Sequence, residues 1–513
     1  MDYTLAQYRP ETFETLVFRE TCKKLVSACG YPLEVLSLDF DCRFMVRGLT
    51  IDKRRGNVIK MDRHKYVKIA YHGLKKKLSR EERLRLYAAT EQRDAFDEPE
   101  YALIDTLFSL AEAHLFAQLV DMKDANIGGS GGGDGGDTRE TTNTAGPDSD
   151  TSTTSTHGVM DWKHKDYEEI YRDVRRSVDL VHRDGSLKQA VADDPGAFIH
   201  SDEGLPELLV ALKESGRKVF IVTNSLWDYT DVVMNYLLGK KTGKDRDDSW
   251  MNYFDLVVTG GGKPGFFFDA KRQMFRVDTS SGMLLNTDEG AHLDPIGGDM
   301  TARGGAEGAG EVSSSSPVSL TPVYQAGNYK ILHQLLGVRS GSEVLYVGDH
   351  IYGDIVRSKK SLGWRTMLVV PELEHELEAL EAQSTVPDAL RRIREERDGL
   401  DDQIHRLEWQ AKHTSFDDDA AGDTSRIEGE QAIARLKAER DTVRAEHSRL
   451  LKAYHESFHS VWGQLLKTGY QHSRFASQVE RFACLYTSHV SNMRRYSPER
   501  CFRSREDEMP HEQ

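Results

Sequence analysis

Two uninterrupted apolar runs stand out along the chain. Lys218-Val219-Phe220-Ile221-Val222 leads into Thr223-Asn224-Ser225, and Glu343-Val344-Leu345-Tyr346-Val347 leads into Gly348-Asp349. Continuous β-branched and aromatic runs of this length suit strands covered on both faces, as in parallel sheets. Helical spacing of apolar residues is predicted over Pro206 to Ser215, Tyr229 to Leu238 and Tyr329 to Leu336, and Thr366 to Val370 reads as a further strand. Strand, polar tip, helix is the βα repeat of a doubly wound α/β sheet, whose ligands bind at the carboxyl ends of the strands.

Beyond Leu373 the pattern changes. Ile393, Leu400 and Leu407 recur at sevens, as do Leu436, Val443 and Leu450, in a highly charged stretch ending near Tyr454. Such spacing predicts an antiparallel helical hairpin or coiled coil, read as a solvated arm in preference to an active element. Three segments lack the apolar residues to order themselves and read as mobile insertions: 127–158, 287–321 and the acidic 415–425.

Size and charge narrow the classes. A chain of 513 residues calls for two or three domains. Its formal charge of -15 argues against nucleic acid or an anionic membrane as the main partner, and no run is long and apolar enough to span a bilayer. Five scattered cysteines without metal spacing fit packing thiols in a reducing compartment. The expected location is cytoplasmic, with an organelle transit peptide upstream of Met1 left open.

The strand tips carry groups suited to phosphoryl transfer. Thr223 and Ser225 hydroxyls with neighbouring amides can hold phosphate oxygens. Lys263, following the apolar Phe254-Asp255-Leu256-Val257-Val258, can neutralise phosphate charge. Asp349 and Asp354, five residues apart, are hard oxygen donors suited to Mg²⁺. Taken singly, each has an ordinary alternative: a helix N-cap, a turn or a solvated lysine. Their shared placement at strand ends is what favours chemistry.

This set, together with the opening Met1-Asp2-Tyr3-Thr4-Leu5, resembles the haloacid dehalogenase superfamily and within it the cytosolic purine 5′-nucleotidase family, closest to plant- and alga-type members. Val46-Arg47-Gly48-Leu49, Lys60-Met61-Asp62, Gly262-Lys263-Pro264, Gly348-Asp349-His350-Ile351, Gly363-Trp364-Arg365-Thr366, Phe475-Ala476-Ser477-Gln478-Val479 and Met509-Pro510-His511-Glu512 carry the resemblance further. The family motif opens Gly-Phe-Asp-Met-Asp-Tyr-Thr-Leu, which would put the nucleophilic Asp just before Met1. Either translation starts at Met1, or the true frame continues upstream; the second is favoured.

The resemblance implies a role for each matching residue. Asp2 is expected as general acid/base with its carbonyl on the metal, and Thr4 completes that motif. Asp349 is a metal ligand and Asp354 supports the metal. Thr223, Asn224, Ser225 and Lys263 hold the phosphate. Phe108 stacks on a purine, while Arg175, Asp179, His182 and Lys188 contact the nucleotide. From the residues alone, the 175–188 run reads in preference as an amphipathic helix with a solvated basic face. Arg93 lies in a region that only partly matches the family's effector site.

The expected organisation is a Rossmann-like core from 1–8 and 205–375, a cap over 9–204, a charged hairpin over 376–455 and a C-terminal helical segment over 456–513. The expected function is Mg²⁺-dependent hydrolysis of a nucleoside 5′-monophosphate, IMP or GMP foremost, through an aspartyl-phosphate. The alternative is an inactive relative serving interaction or regulation. The substrate and further copies of the chain, in a homo-oligomer for which the resemblance suggests a tetramer, are the expected partners; no nucleic acid and no membrane is expected.

Overall fold

The computed structural model describes residues 1–88, 96, 98–128, 162–239, 248–285, 321–413 and 422–503. The 127–158 and 287–321 insertions, apart from their end residues, lie outside these, as do Arg93, Met509-Pro510-His511-Glu512 and most of 415–425.

The chain is mixed α/β and divides into two compact units, 1–59 with 70–371 and 477–513, and 60–69 with 372–476. In the first unit, strands Phe220–Val222, Leu256–Thr259 and Val323–Ala326 run parallel in that order. Met274–Val277 then adds antiparallel to the last of them. A separate sheet joins Leu345–Gly348, Arg365–Val369 and Leu485–Thr487, again parallel. Val257 and Val258 are fully buried, as continuous apolar strands require. Val222, Phe266, Phe267, Leu332, Tyr346 and Trp364 pack into one core cluster.

Local sequence sets the flanking helices. Asn328 caps Tyr329–Leu336 by accepting from the Lys330 and Ile331 amides, and Gly337 ends it at φ 69°. Asp166 and Glu169 form a reciprocal capping box on Tyr167–Arg183. That helix buries Ile170, Val174, Val178 and Val181 along one face. The first unit also holds the antiparallel strands Thr50–Asp52 and Tyr101–Leu103 and the helix Ser109–Gly128.

In the second unit, helices Val386–His413 and Gly422–Glu456 lie antiparallel, joined by Lys437–Glu408 at 2.7 Å and Arg440–Asp401 at 3.4 Å. Both ion pairs are partly exposed and contribute little individually. The seam is apolar, with Leu390, Leu400, Ile404 and Val443 buried. At its base Glu376 accepts from the Leu465 amide at 2.6 Å, and Lys60 donates to the Trp462 carbonyl at 2.7 Å.

Candidate active site

The tips of two parallel strands are stitched together by their own backbones. After Val222, the Thr223 amide donates to the Val258 carbonyl at 2.9 Å and the Thr223 carbonyl accepts from Gly261 at 2.8 Å. Asn224 then bonds Lys263 twice: its Oδ1 accepts from the Lys263 amide at 2.6 Å, and its Nδ2 donates to the Lys263 carbonyl at 3.2 Å. Asn224 therefore fixes the backbone from which the lysine side chain springs. The Lys263 ammonium lies 2.8 Å from Asp354 Oδ1 and 3.2 Å from the Tyr346 hydroxyl.

The first turn of the chain meets the same place. Asp2 accepts at Oδ2 from Ser225 Oγ at 2.9 Å and at Oδ1 from the Tyr8 hydroxyl at 2.7 Å. Since Tyr8 spends its proton on Asp2, the Tyr229 hydroxyl 2.7 Å away must donate to Tyr8. Thr4 Oγ1 donates to Asp349 Oδ1 at 2.9 Å. Buried Arg47 donates from Nη1 to the Asp349 carbonyl at 3.0 Å and from Nη2 to the Val369 carbonyl at 3.3 Å, clamping two adjacent strand ends. Between Asp2 and Thr4, Tyr3 adopts φ 50°, a costly backbone for a bulky residue, on the order of 1–3 kcal/mol.

Close approach also dictates one glycine. A Cβ on Gly348 would stand 2.6 Å from Asp354 Cβ and 2.7 Å from its Oδ2. Gly348→Ala is therefore expected to displace Asp354 from Lys263 and lower stability by roughly 1–3 kcal/mol, read by denaturant unfolding. A variant as stable as the parent would mean that the Asp354 turn is soft.

The electrostatics follow from burial. Asp349 is pushed above the ordinary carboxylate range, by burial first and by the Asp354 charge next. Burial would raise Asp354 too, but the Lys263 charge and hydrogen bond outweigh it and hold Asp354 low. Lys263 is raised well above its usual value for the same reason, Asp354 and Tyr346 overriding desolvation. The result is one carboxylate held low by its salt bridge beside one that burial and its acidic neighbour push up, against weaker lowering by the Met1 amine and His350. The chemistry of that carboxylate fits a hard divalent ion on Asp349. Among the described residues no three His, Cys, Asp or Glu side chains gather as a metal cage.

Buried Glu14 accepts from the Tyr3 hydroxyl at 2.5 Å. Burial pushes its carboxyl up to about 7, against the lowering by Tyr3. From the ordinary 4.5 to about 7 the folded chain holds a proton the unfolded chain has released. Stability must then fall as pH rises through that window, by up to about 3 kcal/mol. Glu14→Gln is expected to flatten this slope between pH 5 and 7 in thermal melts, and an unchanged slope would put the titrating group elsewhere.

The residues expected to recognise a nucleotide form a second group, next to the first. Phe108 packs edge-on against Tyr3 at 4.7 Å and against His182 at 5.8 Å. The Lys188 ammonium lies 5.8 Å from the Tyr229 ring. His182 is lowered by burial and by the Arg175 charge. Arg175 bonds Glu112 at 2.8 Å and reaches Asp179 at 3.4 Å. It also lines a cavity of about 570 Å³ with Tyr171, Glu112, Lys53, Asp105 and His350. Phe108, Tyr8 and Tyr229 thus link the strand-tip cluster to the Arg175 and His182 face.

Several members of the site were not singled out from the sequence: Tyr8, Glu14, Tyr346, Tyr229, Glu112 and the clamp by Arg47. Arg47 sits in a motif already noted. The tyrosines gave no signal beyond apolar packing, because a hydroxyl's partner is a tertiary fact.

Threonine, lysine and carboxylate side chains thus gather at parallel strand ends of a mixed α/β chain. The 5′ nucleotidase family model matches residues 1–513, and the chain belongs to that family. It is 24% identical, over its whole length and 71% of the relative's, to a 5′-nucleotidase domain-containing protein of Dictyostelium discoideum. It is 25% identical, over its whole length and 76% of the relative's, to 5′-nucleotidase domain-containing protein 2 of Rattus norvegicus.

Proposed function

We propose that this protein is a Mg²⁺-dependent phosphohydrolase of nucleoside 5′-monophosphates, with purine nucleotides such as IMP and GMP preferred. The observation that carries it is the convergence of Asp2–Ser225, Thr4–Asp349 and Lys263–Asp354 contacts at the ends of strands Phe220–Val222 and Leu345–Gly348. Such a site is built for charge stabilisation around a phosphoryl group. The strand-tip placement supports a haloacid dehalogenase-type core for the first unit.

The Thr223 hydroxyl and the Lys263 ammonium would bind and orient the phosphate oxygens, with Ser225 beside them holding Asp2. Asp2, steadied by Ser225 and Tyr8, would protonate the departing nucleoside oxygen and later take a proton from water. A carboxylate two positions before Asp2, as the family motif has it, would accept the phosphoryl group as an aspartyl-phosphate. Bound on Asp349, with Asp354 behind it, Mg²⁺ would offset charge on the phosphate. Phe108, His182 and Arg175 supply a ring face and donors for a purine and ribose.

The test is a panel of nucleoside monophosphates with the full-length protein in Mg²⁺, following phosphate release. IMP and GMP should be the best substrates. Arg175→Ala should raise KM about tenfold with little change in kcat, the signature of a lost ground-state contact. Absence of turnover on every nucleotide would leave the inactive, ligand-holding alternative.

A further inference from the structure

We propose that Glu14 is a positioning residue for this site: its buried carboxyl grips the Tyr3 hydroxyl and so holds the Asp2–Thr4 turn in the one shape that presents Asp2 to Ser225 and Thr4 to Asp349, a role that rests on the phosphate-site reading above. The turn is unusual in its backbone. The Thr4, Leu5 and Ala6 amides all converge on the Met1 carbonyl, at 3.2, 2.8 and 3.2 Å. This wrap needs the left-handed φ of Tyr3, which only its surroundings can enforce.

Those surroundings are specific. Tyr3 is 1% exposed, and its ring is met edge-on by Tyr8 at 5.2 Å and by Phe108 at 4.7 Å. The Gln7 side-chain amide donates to the Tyr3 carbonyl at 2.9 Å. The hydroxyl end is taken by Glu14, at the junction of the wide turn Pro10–Glu14 and the helix Thr15–Cys29. Glu14 is 1% exposed, and its other oxygen, Oε2, has no hydrogen-bond partner among the described residues. Packing alone would be better served there by an apolar side chain, since an orphaned buried oxygen is unfavourable. What the carboxyl adds is an acceptor aimed at one hydroxyl. The residues on either side of Tyr3 are the two that reach Ser225 and Asp349, so a shift of Tyr3 moves both.

Full-length Glu14→Leu, Glu14→Gln, Tyr3→Phe and Lys263→Ala proteins would be compared with the parent by three measurements. These are amide exchange of the peptide covering residues 1–8, equilibrium dialysis of inorganic phosphate in Mg²⁺, and melting temperature. Glu14→Leu and Tyr3→Phe should each speed exchange of that peptide about tenfold and weaken phosphate retention about tenfold. Glu14→Gln, which keeps an acceptor, should restore both. If Glu14→Leu does not fold, Tyr3→Phe and Glu14→Gln carry the comparison. Unchanged exchange, or faster exchange with undiminished phosphate retention, would overturn the role, the latter leaving Glu14 merely structural. Lys263→Ala separates the two readings. If it keeps full phosphate retention, or the parent retains none, the phosphate site itself falls and the positioning role with it. If it loses retention while Glu14→Leu does not, only the positioning role falls.

Discussion

Asp349→Asn should cut Mg²⁺-supported phosphate release from IMP by roughly a thousandfold or more, and raise rather than lower the melting temperature in metal-free buffer. Asn keeps the shape and an oxygen for the Thr4 hydroxyl, so the fold has no reason to open. What it removes is a buried negative charge set beside Asp354, the arrangement that drives Asp349 above its usual range. For a carboxyl raised in the folded state, ionisation opposes folding above its unfolded value, so deleting the charge relieves the chain at neutral pH. Adding Mg²⁺ should then stabilise the parent and not the variant. Scanning fluorimetry with and without Mg²⁺ decides this: equal shifts in both proteins would remove Asp349 from the metal site, whatever the activity shows.

The second large effect concerns stability. Lys263→Met should destabilise by about 3–5 kcal/mol, the range for breaking a buried ion pair from one side. The Lys263 and Asp354 side chains are 12% and 6% exposed, and their 2.8 Å contact leaves water little room to substitute. The pH profile gives the sign. Asp354 is held low by Lys263, so its contribution exists above the unfolded carboxylate value of 3.8 and is lost as pH falls through the folded value. Lys263 is raised, so its part is complete below 10.5 and lost only at higher pH. The loss in Lys263→Met should therefore be greatest at neutral pH and shrink in acid, as Asp354 takes up a proton. Adding Asp354→Leu should recover most of it. A single variant within about 1 kcal/mol of the parent at pH 7 would show the pair to be solvated.

The sequence was most informative where one physical rule acts alone. Unbroken apolar runs signal parallel strands, so Phe220–Val222, Leu345–Gly348 and Arg365–Val369 lie within two residues of their expected ends, although Leu345 is exposed where covering on both faces was expected. Helix Tyr329–Leu336 has its expected bounds because Asn328 and Gly337 punctuate it. The long helices were harder. Leu400 and Val443 are buried as the sevens suggest, yet Ile393 and Leu407 are half-buried while Ile404 and His447 take the inner places. A helix turning every 3.6 residues drifts off a strict seven.

The candidate site was legible as residue types and opaque as contacts. Thr223, Lys263 and Asp349 announced themselves by standing after strands. Tyr346 looked like one more strand filler, although its hydroxyl is 3.2 Å from Lys263. The left-handed Tyr3 was beyond reach, because only the partners of its ring and hydroxyl make that backbone affordable.

The tryptophans offer a practical consequence. Trp162, Trp227, Trp250, Trp364 and Trp462 are 7% exposed or less, whereas Trp409, toward the far end of helix Val386–His413, is 66% exposed. Iodide or acrylamide should therefore extinguish a single red-shifted emitter and leave five blue ones bright. Without any added dye, quenching titrations would report when something covers that end of the charged arm.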